Sequence, residues 1–131
     1  MPHLTVDYSI RLAAVFDRAA FVRELHPLVI DLTRSAGVCK TFFRAADACV
    51  HDGSDEASTF VHVEIGLLPG RSEEVKARLS DRVLALTATC IPAAMAPWAV
   101  LSVEVRDLSR SYRLRSPHRN RTTDRRPTFF G

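Results

Sequence analysis

The feature that most constrains this chain is a repeat of order. Strand, helix and strand occur in succession, then occur again, with about 58 residues between equivalent points. Residues 3–8, HLTVDY, alternate strictly, with Leu4, Val6 and Tyr8 on one side and His3, Thr5 and Asp7 on the other, which is the period of a half-buried strand. A helix follows, capped by Asp17 and carrying an apolar stripe of Phe21, Val22, Leu25, Leu28, Val29 and Leu32. Gly37 is its expected stop, and Pro27 is expected to bend it or restart it. VCKTFFRAA then reads as the second strand, and HDGSDEAS as a loop.

The second half begins at Phe60. FVHVEIGLL sets Val61, Val63 and Ile65 against Phe60, His62 and Glu64, and PG breaks the run. RSEEVKARLSDRVLALTATCI carries the stripe Val75, Leu79, Val83, Leu86 and Cys90. Ser72 is its cap, and Glu73 and Glu74 suit the positive end of a helix. VLSVEVRDL supplies the fourth strand. Each half is a βαβ unit, whose helical crossover is right-handed and makes its two strands parallel. The expected fold is therefore α+β: two βαβ repeats, residues 1–59 and 60–113, in a four-stranded mixed sheet with two helices on one face. Residues 114–131 form a basic tail in which disorder is expected. The face opposite the helices lacks a cover, so self-association is expected.

Composition narrows the setting. No apolar run approaches the roughly 20 residues of a membrane span and no signal peptide is evident, so the cytoplasm is the expected compartment. Cys39, Cys49 and Cys90 are an odd set without a CxxC pair and read as reduced thiols filling apolar space. From residue 109 onward seven arginines stand against Asp124 alone, while the rest of the chain is net acidic. Tyr112 is the one aromatic residue among those arginines, and Phe129 and Phe130 come only after them, so a nucleic-acid partner is not favoured. His3, His26, His51, His62 and His118 show no metal-ligand spacing, so a metal is not implied. His3 and His62 occupy matching places in the two repeats, which favours an interface role over a catalytic one.

Pro2 directly follows the initiator methionine and shares the parity of Leu4 and Val6. A strand's first position tolerates a residue without an amide donor. If Met1 is removed, Pro2 becomes a free secondary amine at an apolar edge, where desolvation and nearby cations lower an amine's pKa toward that of a general base. Its ring fixes the direction of the lone pair.

MPH at the start, GVCKT after the first helix, FVHVEI opening the second half and PGRSEE at the second helix resemble 5-carboxymethyl-2-hydroxymuconate isomerase, within the tautomerase superfamily, over roughly residues 1–113. The resemblance implies a trimer without cofactor in which Pro2 is the catalytic base. It implies that Arg71 binds a substrate carboxylate, for which a guanidinium fork is suited. Lys40 stands where better-known members carry an arginine, and Phe42 where they carry a second, so one wall is more apolar here. The implied activity is ketonisation of an unsaturated 2-hydroxy acid. The alternative is a binding protein on the same fold that has lost turnover.

Overall fold

The computed structural model describes residues 2–36, 38–47 and 58–117. Strand β1 (His3–Ser9) keeps the predicted alternation, with Leu4, Val6 and Tyr8 buried and His3 and Asp7 half-buried. Thr5 is buried too, because β1 has a strand on either side. A short 3₁₀ turn at Ile10–Leu12 buries Leu12 and leads to helix α1 (Arg18–Thr33). Asp17 caps α1 by accepting a hydrogen bond from the Ala20 N–H at 3.0 Å. Phe21, Leu25, Val29 and Thr33 are the buried side of this helix.

Two expectations for α1 are corrected. The helix does not restart at Pro27 but is continuous through it, with Pro27 on the exposed side. Its end comes at Arg34, in the left-handed conformation at φ 54°, ψ 38°, and not at Gly37, which lies outside the described residues. A non-glycine residue there costs roughly 1–2 kcal/mol. Local bonds offset it: Ser35 N–H donates to the Ile30 carbonyl at 3.2 Å, and Thr33 Oγ1 donates to the Val29 carbonyl at 2.7 Å.

Strand β2 (Lys40–Ala46), strand β3 (Thr59–Leu67), helix α2 (Glu73–Thr89) and strand β4 (Ala99–Asp107) complete the order. Ser72 caps α2 through the Val75 N–H at 3.2 Å, with Glu73 and Glu74 in the first turn, and Leu79, Val83 and Thr87 are its buried side. The sheet runs β2-β1-β3-β4, with β1/β2 and β3/β4 parallel and β1/β3 antiparallel. Leu4 faces Ile65, Val6 faces Val63 and Tyr8 faces Val61 across the antiparallel pair. These six share one core with Phe21, Leu25 and Val29 of α1 and Leu79 and Val83 of α2, so both helices cover the same face. The loop with Cys49 and His51, and the tail from residue 118 with His118, lie outside the described residues. No helix among the described residues is long and apolar enough to cross a membrane.

Phe21 is fully buried and meets the rings of Phe16 at 5.4 Å and Phe43 at 6.5 Å. Phe21→Ala is expected to cost about 3–5 kcal/mol of stability, whereas Asp17→Ala, which removes one cap, costs about 1 kcal/mol. Urea unfolding of both variants at one fixed protein concentration checks the ratio.

Candidate functional site

The three residues singled out in the sequence come from three places in the chain, and strand pairing gathers them at one end of the sheet. Pro2 is buried immediately before β1, and its carbonyl accepts a hydrogen bond from the Lys40 N–H at 3.4 Å. Lys40 opens β2 opposite His3, and His3 pairs on its other side with Gly66 near the end of β3. Extending that antiparallel register by one residue sets Leu67 against Pro2. Arg71 follows four residues later and donates from Nη1 to the Leu68 carbonyl at 3.2 Å.

Arg71 does more than mark the start of α2. Its Nε and Nη2 donate to the Thr33 carbonyl at 3.2 and 3.0 Å, and Nη2 also donates to Ser35 Oγ at 3.2 Å. The Thr33 carbonyl is one of those that a helix C-terminus leaves without an intrahelical partner, and a cation there also opposes the negative end of the helix dipole. Arg71 thus ties the end of the first repeat's helix to the strand-to-helix turn of the second. Four of its five N–H groups are engaged. The fork that would meet a carboxylate in a bidentate pair is already occupied in this arrangement.

Lys40 points to the helix-free face, in register with His3 and followed on that face by Phe42. Its ammonium lies 6.0 Å from the centre of the Phe42 ring and 5.6 Å from that of Tyr112. The His3 ring is 5.2 Å from Phe42 and meets Tyr112 edge-on at 6.3 Å. Burial and then Lys40 lower the pKa of His3, which favours its neutral form. Burial pushes the Cys39 thiol up to about 11, so it is protonated at neutral pH and is no nucleophile.

Tyr112 was not a candidate from sequence. It reaches His3 because the chain after β4 folds back: Leu108 N–H donates to the Leu67 carbonyl at 2.6 Å, and Tyr112 N–H closes a turn on the Ser109 carbonyl at 2.9 Å. Gly66 permits this return. A Cβ at that position would stand 2.5 Å from Leu108 Cδ2.

The rest of the helix-free face carries two ion pairs and an exposed Glu104. Arg44 forms a fork with Asp7 at 2.7 and 3.0 Å, and this hydrogen bonding holds the Asp7 carboxyl below its usual pKa. Arg106 meets Glu64 at 3.2 Å, and His62 Nδ1 is 2.7 Å from Ser102 Oγ. His3 and His62 do lie on this face, as their strand parity predicts. Phe42 is 53% exposed and Val100 41%. No group of three or more His, Cys, Asp or Glu side chains able to hold a metal occurs among the described residues. A groove of about 360 Å³ between α1 and α2, lined by Glu24, Leu28, Arg82, Ala85, Leu86 and Thr89, contains none of the candidate residues.

Solved structures share this architecture. A 5-carboxymethyl-2-hydroxymuconate isomerase from Deinococcus radiodurans R1 superposes with a TM-score of 0.72 at 24% identity, over 88% of each chain. A 5-carboxymethyl-2-hydroxymuconate delta-isomerase gives 0.66 at 20% identity, again over 88% of each. A fused 4-OT forming a symmetric trimer gives 0.64 at 17% identity, over 84% of this chain and 89% of that one. At these identities the likeness establishes the tautomerase-type fold. No curated protein matches the chain in sequence. A family model does, over residues 2–121, and by that match the chain belongs to the 5-carboxymethyl-2-hydroxymuconate isomerase family.

Proposed function

We propose that this chain is a cofactor-independent isomerase that ketonises an unsaturated 2-hydroxy acid of the muconate type, with Pro2, freed by removal of Met1, as the general base. One observation carries the reading: Pro2 is buried at the head of a central strand, with β2 holding its carbonyl and the end of β3 facing it. A neutral secondary amine in that setting takes the proton of the 2-hydroxyl. The oxygen's electron pair becomes the new carbonyl, the conjugated π electrons shift outward, and the proton returns from the Pro2 nitrogen to a carbon of the diene. Proton transfer and positioning are the only chemical demands of such a reaction.

Lys40 holds the substrate carboxylate as a point charge. Arg71 takes part differently from a free fork. It fixes the turn after β3 and offers the carboxylate its charge and its one unengaged Nη1 proton. The uncovered sheet face, with exposed Phe42 and Val100 beside the ion pairs Arg44–Asp7 and Arg106–Glu64, supports assembly into a homotrimer through that face. The competing reading, a binding protein without turnover, draws on the engagement of the Arg71 fork.

Intact mass of the purified protein is expected to equal that of the chain less one methionine residue, and Pro2→Ala is expected to lower kcat for ketonisation of 2-hydroxymuconate by about 10²–10⁴-fold. Retained Met1, or wild-type turnover no faster than that of the folded variant, removes the enzyme reading and leaves the binding one.

Lys40 and Arg71 separate by a different pair of measurements. Lys40→Ala raises KM with little loss of stability, because its ammonium makes no ion pair among the described residues. Arg71→Ala lowers stability by about 1.5–3 kcal/mol through the lost charged hydrogen bonds, read as a fall in the urea midpoint.

A further inference from the structure

Arg71 is held by more than the end of a helix requires. The Thr33 carbonyl takes its Nε proton at 3.2 Å and one Nη2 proton at 3.0 Å, Ser35 Oγ takes the other Nη2 proton at 3.2 Å, and the Leu68 carbonyl takes an Nη1 proton at 3.2 Å. Among the described residues a single Nη1 proton is left without an acceptor. The one open direction of this guanidinium is therefore set by whatever holds the other four protons.

The hydrogen bonds around Ser35 have a defined polarity. Thr33 Oγ1 donates its only proton to the Val29 carbonyl at 2.7 Å, so in the 2.6 Å contact between Thr33 Oγ1 and Ser35 Oγ the serine is the donor. Ser35 gives its proton to Thr33 and turns a lone pair to Arg71. Arg71 Nη2, Ser35, Thr33 and the Val29 carbonyl thus form one chain running in one direction, anchored on a threonine that is buried. The backbone works to the same end. Arg34, between the two acceptor residues, takes the left-handed conformation at φ 54°, in which a side chain is strained. That turn, closed by the Arg34 and Ser35 N–H groups on the Ile30 carbonyl, lets the Thr33 carbonyl and the Ser35 hydroxyl meet the same guanidinium. Strain of this kind persists where the surrounding structure over-determines it, and such residues gather at functional sites.

We infer that Ser35 is a positioning residue: with the Thr33 carbonyl it holds the Arg71 guanidinium in one orientation, so that the remaining Nη1 proton meets a substrate carboxylate as a single fixed donor. This rests on the reading of Arg71 as a carboxylate ligand of the proposed isomerase, and it names the residue that orients that ligand beforehand. A side chain ordered before the substrate arrives loses little rotamer freedom on binding. Without the Ser35 hydroxyl, the bonds from Nε to Thr33 and from Nη1 to Leu68 still tie the helix end to the turn. What is lost is the fixed tilt of the guanidinium.

Calorimetric titration of trans,trans-muconate into the intact protein tests this apart from turnover, because that flat dicarboxylate lacks the 2-hydroxyl that ketonisation needs. Ser35→Ala is expected to weaken binding about 5-fold, and Ser35→Thr, which keeps a hydroxyl, to stay within about 2-fold of wild type. In an Arg71→Lys background, where no guanidinium remains to be oriented, Ser35→Ala changes affinity by less than about 2-fold. A role confined to the end of α1 would instead lower the urea midpoint and leave affinity alone, or weaken affinity equally in both backgrounds. Either of those results, or a wild type that does not bind muconate, overturns the inference. A protein that binds with this coupling yet ketonises nothing defeats the Pro2 reading alone. Conversely, a wild type that turns over, with kcat/KM unmoved in Ser35→Ala, defeats the positioning role alone.

Discussion

The antiparallel contact between β1 and β3 is the interaction on which the rest depends. Each βαβ unit could form its own parallel pair, but neither pair has both edges of its inner strand paired until the two inner strands meet. Leu4, Val6 and Tyr8 face Ile65, Val63 and Val61 across that seam, and all six are at most 4% exposed. At roughly 25 cal/mol per Å² of apolar surface removed from water, this seam and the helices above it supply most of the driving force. A slip of one residue would turn the whole apolar set toward the helix-free face, so the register is tightly specified. That register also builds the site, because it is what sets the end of β3 against the head of β1 and so brings Arg71 to the neighbourhood of Pro2.

Much of this was legible in the sequence. The period of two in HLTVDY and FVHVEI named the buried side of both inner strands correctly, and the caps Asp17 and Ser72 sit where their residue types indicate. Parallel pairing within each half followed from the handedness of crossovers. The meeting of β1 with β3 was not legible from periodicity, since nothing in either strand's pattern states which edge it offers. The end of α1 was misplaced because the usual glycine rule was applied, whereas Arg34 adopts the left-handed conformation amid bonds made by Thr33, Ser35 and Arg71.

The candidate site was legible in part for the same reason. Pro2 stood out by its place behind Met1, and Lys40 and Arg71 by the resemblance of their motifs to the family, and the strand order sets all three toward one end of the sheet. Their partners could not be named. The bonds from Arg71 to the Thr33 carbonyl and Ser35 link residues about 36–38 apart, and Tyr112 reaches His3 across more than a hundred positions of sequence. Contacts of that kind leave no periodic trace. They depend on a turn and on the missing side chain of Gly66, a residue whose alternation within β3 is otherwise unremarkable.

The position of Pro2 at a strand head suits the amine base proposed for it. In a parallel pair each residue's N–H and C=O both face a neighbour, and a nitrogen inside the ladder must donate. Pro2 lies one step outside: its carbonyl is fixed by Lys40 N–H, which orients the residue, while its nitrogen stands ahead of the first paired residue, His3. Any other amino acid at this position would bring a primary amine, with more hydrogens and a bond that rotates. Proline brings one lone pair on a rigid ring, held by a strand whose both neighbours are in place. The same geometry makes the residue chemically silent when a methionine is attached, because an amide nitrogen has no basic lone pair. On the proposed reading, the difference between a structural and a reactive proline lies in that single peptide bond.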